Sequence, residues 1–330
     1  MGNEKEIKIA YIYYSLQFFV KQDRDLLSKH FEVYDFNFKS IFDILSLIKT
    51  VRKSDITYSW FAGGHAFLAV LFSKIFQKKS IVIAGGGDVA SEPEIDYGFM
   101  GPYRRSRYFA KFALKYADVV LAVSEFTKKE VLKYSKPKYL DVVYNGIDTD
   151  YYKPNFKKED MVITVGRISE DYITRKGYEN FIRCAQKLQN LQFVIIGKIT
   201  DDSISKLKKI APRNVIFTGY VSDEELLEYY QKAKIYCQLS YYESFGMGLT
   251  EAMACECIPV VTNRAALPEV IGNTGLKVPY DDTDATMEAI KMSLNKNGVS
   301  ARKRIVNEFD LSFREKRLFN IIISAIRTDS

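Results

Sequence analysis

The 330-residue sequence is short of the residues that build metal sites and cross-links, with two histidines, His30 and His65, and four cysteines. Cys184, Cys237, Cys255 and Cys257 all fall late in the chain, in or beside apolar runs and without zinc-type spacing. They read as reduced, buried thiols, because a lone Cys-x-Cys pair with so few partners makes a poor metal site. Long hydrophobic runs are also missing: residues 61–72 and 318–326 hold the longest apolar stretches, and both fall short of the ~20 residues that cross a bilayer. Glu4, Lys5, Glu6 and Lys8 precede a short apolar strand, unlike the basic start and longer apolar run of a signal peptide. Glu6 stands where a myristoylation signal beginning at Gly2 needs Ser or Thr. The expectation is a cytoplasmic protein that can touch the inner face of a membrane without crossing it.

What remains is globular in composition. Hydrophobic residues at 47% and charged residues at 27% argue against disorder and against a fibrous repeat. The length exceeds what one hydrophobic core usually supports, which favours two domains. A net charge of +7 favours anionic partners, whether nucleotide, phospholipid or nucleic acid, without choosing among them; with the motifs below, no nucleic acid is expected as a partner.

Short β-branched or aromatic runs alternate with helical patterns along the first half. Strands are predicted over 8–13, 31–36, 56–60, 80–84, 119–123 and 139–143, and helices over 41–51, 66–76, 104–116 and 125–134. The pattern breaks at 145–158, where Asn-Gly, Pro154 and a Lys-Lys pair intervene. It then restarts with strands over 161–165, 192–196, 215–217, 235–239, 258–262 and 276–278. An α/β protein of two doubly wound, Rossmann-like domains is expected, 1–152 and 153–330, with the last helix able to pack back on the first domain. Open α/β sheets take ligands at the carboxyl ends of their strands, in a cleft between the domains if these face each other.

The most informative segment is Tyr241–Ala254, YYESFGMGLTEAMA, which follows a predicted strand and opens a helix. Backbone N–H groups of Phe245, Gly246, Met247 and Gly248, ahead of Leu249, lack acceptors at such a start and with the helix dipole suit a diphosphate. Glu243 and Glu251 flank it. If the positions between them are mostly helical they stand ~12 Å apart along the axis, too far for the ~5–9.5 Å of a glycosidase pair. They would then hold opposite ends of one long ligand, a shape that a nucleotide sugar has. The spacing suits equally a first-turn dipole partner and an exposed loop acid.

This Glu-x7-Glu segment resembles the donor-site signature of the family-four retaining glycosyltransferases, which have the GT-B fold. Other stretches match in order: Ala117–Glu125, Val142–Asp148 with its Asn-Gly turn, Val165-Gly166-Arg167, and Arg175-Lys176-Gly177. The resemblance covers nearly the whole chain. It implies a nucleotide-diphosphate sugar as donor substrate and no metal or other cofactor. Arg167 and Lys176 would hold the diphosphate, Glu243 would orient the sugar, and Glu251 would bind ribose. Gly166, Gly197, Tyr220 and Val221 would complete the donor pocket with residues 245–249. Two fixed cations make physical sense, since they can replace a metal in neutralising a leaving diphosphate; without the match, a solvated basic loop accounts for them equally. Retention, with the leaving phosphate taking the acceptor's proton, is implied by the family alone.

Acceptor residues are less defined. Ala84–Ala90 (AGGGDVA) superficially fits a dinucleotide fingerprint, but it follows the fourth strand and Pro93 comes soon after. By resemblance this loop faces the sugar; many relatives carry a His at the position of Gly85, and Asp88 either contacts sugar or acceptor or caps a turn. Ser15, in the loop after the first strand, and His65, at a helix start, are further acceptor candidates, His65 also for a phosphate. Asp148-Thr149-Asp150 looks like a metal-binding Asp-x-Asp, yet it sits in the Asn-Gly turn where Asp bonds local amides, and Asp282 reads as a helix cap. Arg104, Arg107, Lys111 and Lys115 recur at helical spacing beside Phe109, Phe112 and Tyr116, a face for anionic lipid or an acidic acceptor, or a solvated basic face. The acceptor is expected to be a glycan, a lipid-linked molecule or a small molecule. Alternatives are a sugar-nucleotide epimerase of the same fold, a catalytically silent nucleotide-sugar binder and, more distantly, an NAD-binding dehydrogenase.

Overall fold

The computed structural model describes residues 7–327, so the expectations drawn at Gly2, Glu4, Lys5 and Glu6 lie outside the described residues. The chain divides into two compact units. One holds the described residues up to Asn145 and from Ser312 on; the other spans Gly146–Leu311.

The first unit carries strands β1 (Lys8–Tyr13), β2 (Glu32–Asn37), β3 (Ile56–Trp60), β4 (Lys79–Ala84), β5 (Val119–Ala122) and β6 (Leu140–Val142). Helices α1 (Phe18–Ser28), α2 (Ile44–Lys53), α3 (Gly64–Ile75), α4 (Ser106–Tyr116) and α5 (Glu125–Tyr134) connect them. The second unit has β7 (Glu159–Val165), β8 (Gln192–Ile196), β9 (Val215–Gly219), β10 (Ala233–Gln238), β11 (Ile258–Thr262) and β12 (Leu276–Val278). Its helices are α6 (Glu170–Lys176), α7 (Tyr178–Lys187), α8 (Ile204–Ile210), α9 (Asp223–Lys232), α10 (Met247–Ala254), α11 (Leu267–Ile271), α12 (Thr283–Leu294) and α13 (Val299–Glu308); α14 (Leu311–Arg327) is the last element among the described residues.

Both sheets are six-stranded and parallel throughout, ordered β2-β1-β3-β4-β5-β6 and β12-β11-β10-β7-β8-β9. These are two Rossmann-like doubly wound units. Both faces of the sheets are covered, as β3 and β11 show, where every residue is buried, Thr57 and Ser59 of β3 included. In each sheet the chain reverses direction beside its first strand, between β1 and β3 and between β7 and β10. Such a switch point leaves a crevice at the carboxyl edge.

Three predicted helices start differently, the one expected over 66–76 beginning earlier, at Gly64. The 41–51 stretch opens as a separate 3-10 turn, Ile41–Asp43, because Ser40 and Asp43 form a capping box there; α2 then begins at Ile44. The 104–116 helix begins at Ser106.

Helix α14 is pinned within the first unit by a buried ion pair. Arg314 donates from Nε and Nη2 to Asp23 of α1 at 2.5 and 2.7 Å, and from Nη1 to the carbonyls of Val143 and Tyr144. Tyr58 Oη and Trp60 Nε1 donate to the same carboxylate at 2.6 and 3.0 Å. Both ionic side chains are almost wholly out of solvent, so the fork of hydrogen bonds must replace the water they lose.

Candidate functional site

In the second unit, residues scattered along the sequence meet at one sheet edge. Gly166 and Arg167 follow β7, Gly197 follows β8, Tyr220 and Val221 follow β9, and Glu243 lies beyond β10. The switch point falls between β7 and β10, with Arg167 on one side and the Glu243 loop on the other.

Helix α10 starts at Met247 from Gly246, whose φ of +97° is a left-handed geometry that glycine adopts without strain. Its N-terminus has no side-chain cap and no acidic residue in the first turn, so the first-turn amides have no acceptor within the helix. Phe245 and Leu249 are core residues, Phe245 lying edge-on to Phe309; they offer a ligand only backbone. The axial separation expected for Glu243 and Glu251 does not apply, because Gly246 turns the chain and Glu243 lies outside the helix.

Lys176 and Glu243, expected at separate parts of a ligand, form one ion pair: Nζ donates to Oε1 at 2.5 Å with both side chains mostly buried. Gln238 Nε2 and Ser240 Oγ donate to the same oxygen at 3.1 and 3.2 Å, and Tyr236 Oη donates to Gln238 Oε1 at 3.0 Å. Burial pushes the Glu243 carboxyl up, but the charges of Lys176 and Arg175 and these hydrogen bonds more than reverse it, leaving it below its ordinary value. Arg167 is half exposed, 3.3 Å from Asp171, with its guanidinium 4.3 Å from the ring centre of Tyr172. Arg175 lies 4.0 Å from the same ring. Three cations therefore crowd one sheet edge, an arrangement suited to a polyanion.

Glu251 sits one helical turn into α10, buried, accepting from Tyr230 Oη at 2.9 Å. Burial raises its pKa from 4.5 to about 7 against the pull of the Tyr230 and Tyr152 hydroxyls. The folded protein thus holds a proton that the unfolded chain releases between these two values, so this group costs stability as pH rises from 4.5 to about 7 and no further above. Glu251→Gln removes that cost. In thermal and urea melts without ligand, the variant should match the parent near pH 4 and exceed it by about 2–3 kcal/mol at pH 8; equal stability at both pH values would refute the ionisation change.

The sequence reading missed Tyr230, Tyr236, Gln238, Ser240 and Tyr172, and gave no role to Arg175, which it named only as part of a matching stretch. For three of them a signal exists: Tyr236, Gln238 and Ser240 are polar groups at every second position in and just after an apolar strand, which puts them on one face.

At the switch point of the first unit lie Ser15, in the loop after β1, and His65, at the start of α3. His65 is buried against the edge of Tyr14, its Nε2 2.7 Å from the Trp60 carbonyl. A carbonyl only accepts, so Nε2 carries the proton; burial lowers the pKa to about 4, against the pull of that bond. A neutral ring supplies no positive charge to a phosphate, and its N–H is already taken by the Trp60 carbonyl. Of the two readings of Asp88, the structure shows the turn cap. It is 1% exposed, and its carboxylate accepts from the amides of Ala62, Gly85 and Gly86 at 2.7–3.0 Å, tying two loops together. Gly85 has no room for a side chain: a Cβ there would fall 2.3 Å from the ring of Phe61. Phe61 itself has φ +67°, an outlier for a bulky residue.

Asp148 Oδ1 accepts from the amides of Asp150 and Tyr151 at 3.1 and 2.9 Å, and Asp282 caps α12 through the Ala285 amide. The four cysteines are free and buried.

Two all-parallel doubly wound units, each with polar groups gathered at a switch point, define the GT-B class of glycosyltransferase folds. Solved structures agree on the fold. HepE of Anabaena in complex with UDP superposes with a TM-score of 0.77 at 17% identity, covering 96% of this chain and 100% of that one. Sucrose-phosphate synthase of Thermosynechococcus elongatus gives 0.75 at 16% identity, with 96% and 98% covered. Residues 148–308 match the model "Glycosyl transferases group 1", and residues 26–151 match "Glycosyltransferase Family 4". The chain belongs to this group 1, family-4-type glycosyltransferase family. Among curated relatives, the O-antigen chain mannosyltransferase B of Escherichia coli is 26% identical over 58% of this chain and 56% of that protein. Alpha-maltose-1-phosphate synthase of Mycolicibacterium smegmatis is 28% identical over 63% and 64%. The chain thus spans a little over half to just under two thirds of these relatives.

Proposed function

We propose that the protein is a retaining, metal-independent glycosyltransferase that moves a sugar from a nucleotide-diphosphate donor to a glycan or lipid-linked acceptor. The observation that carries it is the gathering of Arg167, Arg175 and Lys176 at the carboxyl edge that also holds the uncapped start of α10. Arg167 and Lys176 neutralise the diphosphate as the sugar leaves, so no divalent cation is needed. Glu243, held by Lys176, orients the sugar, and Glu251 binds the ribose. The donor class is supported by the UDP named in the HepE complex, and the acceptor class by the O-antigen chain named in the mannosyltransferase relative.

A thermal-shift screen of nucleotide diphosphates and their sugars, followed by rates with an acceptor panel, tests this directly; donor binding without acceptor-dependent release of nucleotide diphosphate would sink transfer. Activity should persist in excess EDTA. Complete loss that added Mg²⁺ or Mn²⁺ restores would overturn metal independence.

The two glutamates should part company in calorimetry. Glu251→Ala should weaken both nucleotide diphosphate and intact donor, whereas Glu243→Ala should spare the nucleotide diphosphate and lower turnover, each losing ~1.5–3 kcal/mol from a charge-assisted hydrogen bond. Equal weakening of nucleotide diphosphate by both variants would contradict separate roles. Because Glu251 accepts hydroxyls as a carboxylate, donor affinity should rise as pH increases through about 7.

A further inference from the structure

The positive charge of this chain is not evenly spread. Segments 39–54, 64–79 and 104–116 carry twelve lysines and arginines and one acid, Asp43, although the whole chain is only +7. Seven of these cations lie within α2, α3 and α4 (Lys49, Arg52, Lys53, Lys74, Arg107, Lys111 and Lys115) and the other five in the stretches that flank them; the structure packs α2 on α3 and α3 on α4. Right-handed crossovers between parallel strands put successive helices on one sheet face when the chain keeps moving the same way, as it does from β2 through β3 and β4 to β5. The helix singled out in the sequence, α4, is therefore one member of a three-helix layer whose cations cluster on α2 and α4 and the stretches that flank the helices. Lys39, Lys49, Arg52, Lys53, Arg105 and Lys115 are exposed on it. Arg104 and Lys74 pair with Asp96 and Asp118 from outside these segments, which still leaves twelve cations to three acids.

Exposed apolar groups rim the same layer. Phe42 is 90% exposed, and Ile41 and Leu45 stand beside it at the entry to α2. Tyr103 is 98% exposed, and Tyr108 follows in the first turn of α4. Helices that cross between parallel strands run against them, so both helix starts lie at the carboxyl edge of the sheet. No helix among the described residues is long and apolar enough to cross a membrane. Cations beside protruding Phe, Leu, Ile and Tyr are what an interfacial surface requires: the charges hold anionic headgroups and the apolar groups enter the acyl boundary.

We propose that the α2–α3–α4 layer docks on an anionic lipid bilayer, with Ile41, Phe42 and Leu45 inserting and the exposed lysines and arginines holding the headgroups. Charge complementarity selects this occupant, and docking is independent of donor chemistry.

The test is co-sedimentation of the full chain, without donor, on phosphatidylcholine vesicles with and without about 30 mol% phosphatidylglycerol, since each cation near an anionic surface strengthens binding roughly fivefold. The protein should pellet with the anionic vesicles, stay in solution with the neutral ones and be released by salt, which screens exposed charge. Lys49→Glu combined with Arg105→Glu should reduce partitioning more than tenfold, and Ile41→Ser with Phe42→Ser should reduce it at low salt, while both keep the parent melting curve. Nucleotide-diphosphate binding should be unchanged in both, so failure of the donor reading would leave these results standing. Equal pelleting on both vesicle types, equal pelleting of the variants, or binding to soluble heparin without binding to anionic vesicles would overturn the proposal.

Discussion

Lys176→Ala is expected to lower turnover by ~10²–10³ at saturating donor, with Arg167→Ala similar, because each removes a cation that counts most when the leaving diphosphate gains charge. The structure adds a second consequence for Lys176. Its ammonium is 2.5 Å from Glu243 Oε1, and the Glu243 carboxyl stays below its ordinary pKa largely through that charge and that of Arg175, against burial. Without Lys176 the carboxylate loses its nearest counter-charge, so the variant loses sugar orientation as well as phosphate binding. Lys176→Ala with Glu243→Ala should then cost less than the two single effects summed, as contacting groups do. Lys176→Arg should recover little, since a planar guanidinium does not replace a compact ammonium in a packed site. Initial rates of the four-member cycle, with thermal melts as a folding control, measure this. Unchanged turnover in both Lys176→Ala and Arg167→Ala would remove the diphosphate assignment, and strictly additive losses would remove the coupling.

Asp23→Ala is expected to destabilise the protein by ~3–5 kcal/mol, because it leaves the Arg314 guanidinium buried without its counter-charge. That is a large share of the ~5–15 kcal/mol that holds a native domain together. The variant also strands the hydroxyl of Tyr58 and the indole N–H of Trp60, which both donate to that carboxylate. Loosening of α14 should come first, since Arg314 ties that helix to Asp23 and to the carbonyls of Val143 and Tyr144. Replacing both partners, Asp23→Leu with Arg314→Met, should recover much of the loss, as apolar substitution of whole buried pairs often does. Urea titration of the three proteins, with hydrogen exchange on residues 311–327, gives the readout. A loss below ~1 kcal/mol for Asp23→Ala would mean that the pair carries no net weight.

Strand positions were legible where burial on both faces forced a run rich in apolar residues: β1, β3, β8 and β11 fall at their predicted bounds, as does the short edge strand β12. Residues 41–51 misled because a second capping signal, Ser40 with Asp43, lies next to the helix. Asp88 stayed open between two readings because an acid in a glycine-rich loop serves equally to bind a ligand or to bind three amides, and only the amides' positions distinguish these. Gly85 was noticed for the histidine it lacks, yet the ring occupying that space belongs to Phe61, on a different strand's loop.

The sequence by itself determined the α/β class, the two doubly wound repeats, the basic-aromatic character of α4 and the Glu243–Glu251 segment at a helix start, because these rest on local periodicity and turn chemistry. The tertiary structure decided who meets whom. Lys176 reaches Glu243 across 67 positions and Arg314 reaches Asp23 across 291, and both pairings depend on which strands and helices lie side by side. Strand order is non-local: β10 beside β7 brings Glu243 to Lys176 and Arg167, and no spacing within the linear chain encodes that adjacency.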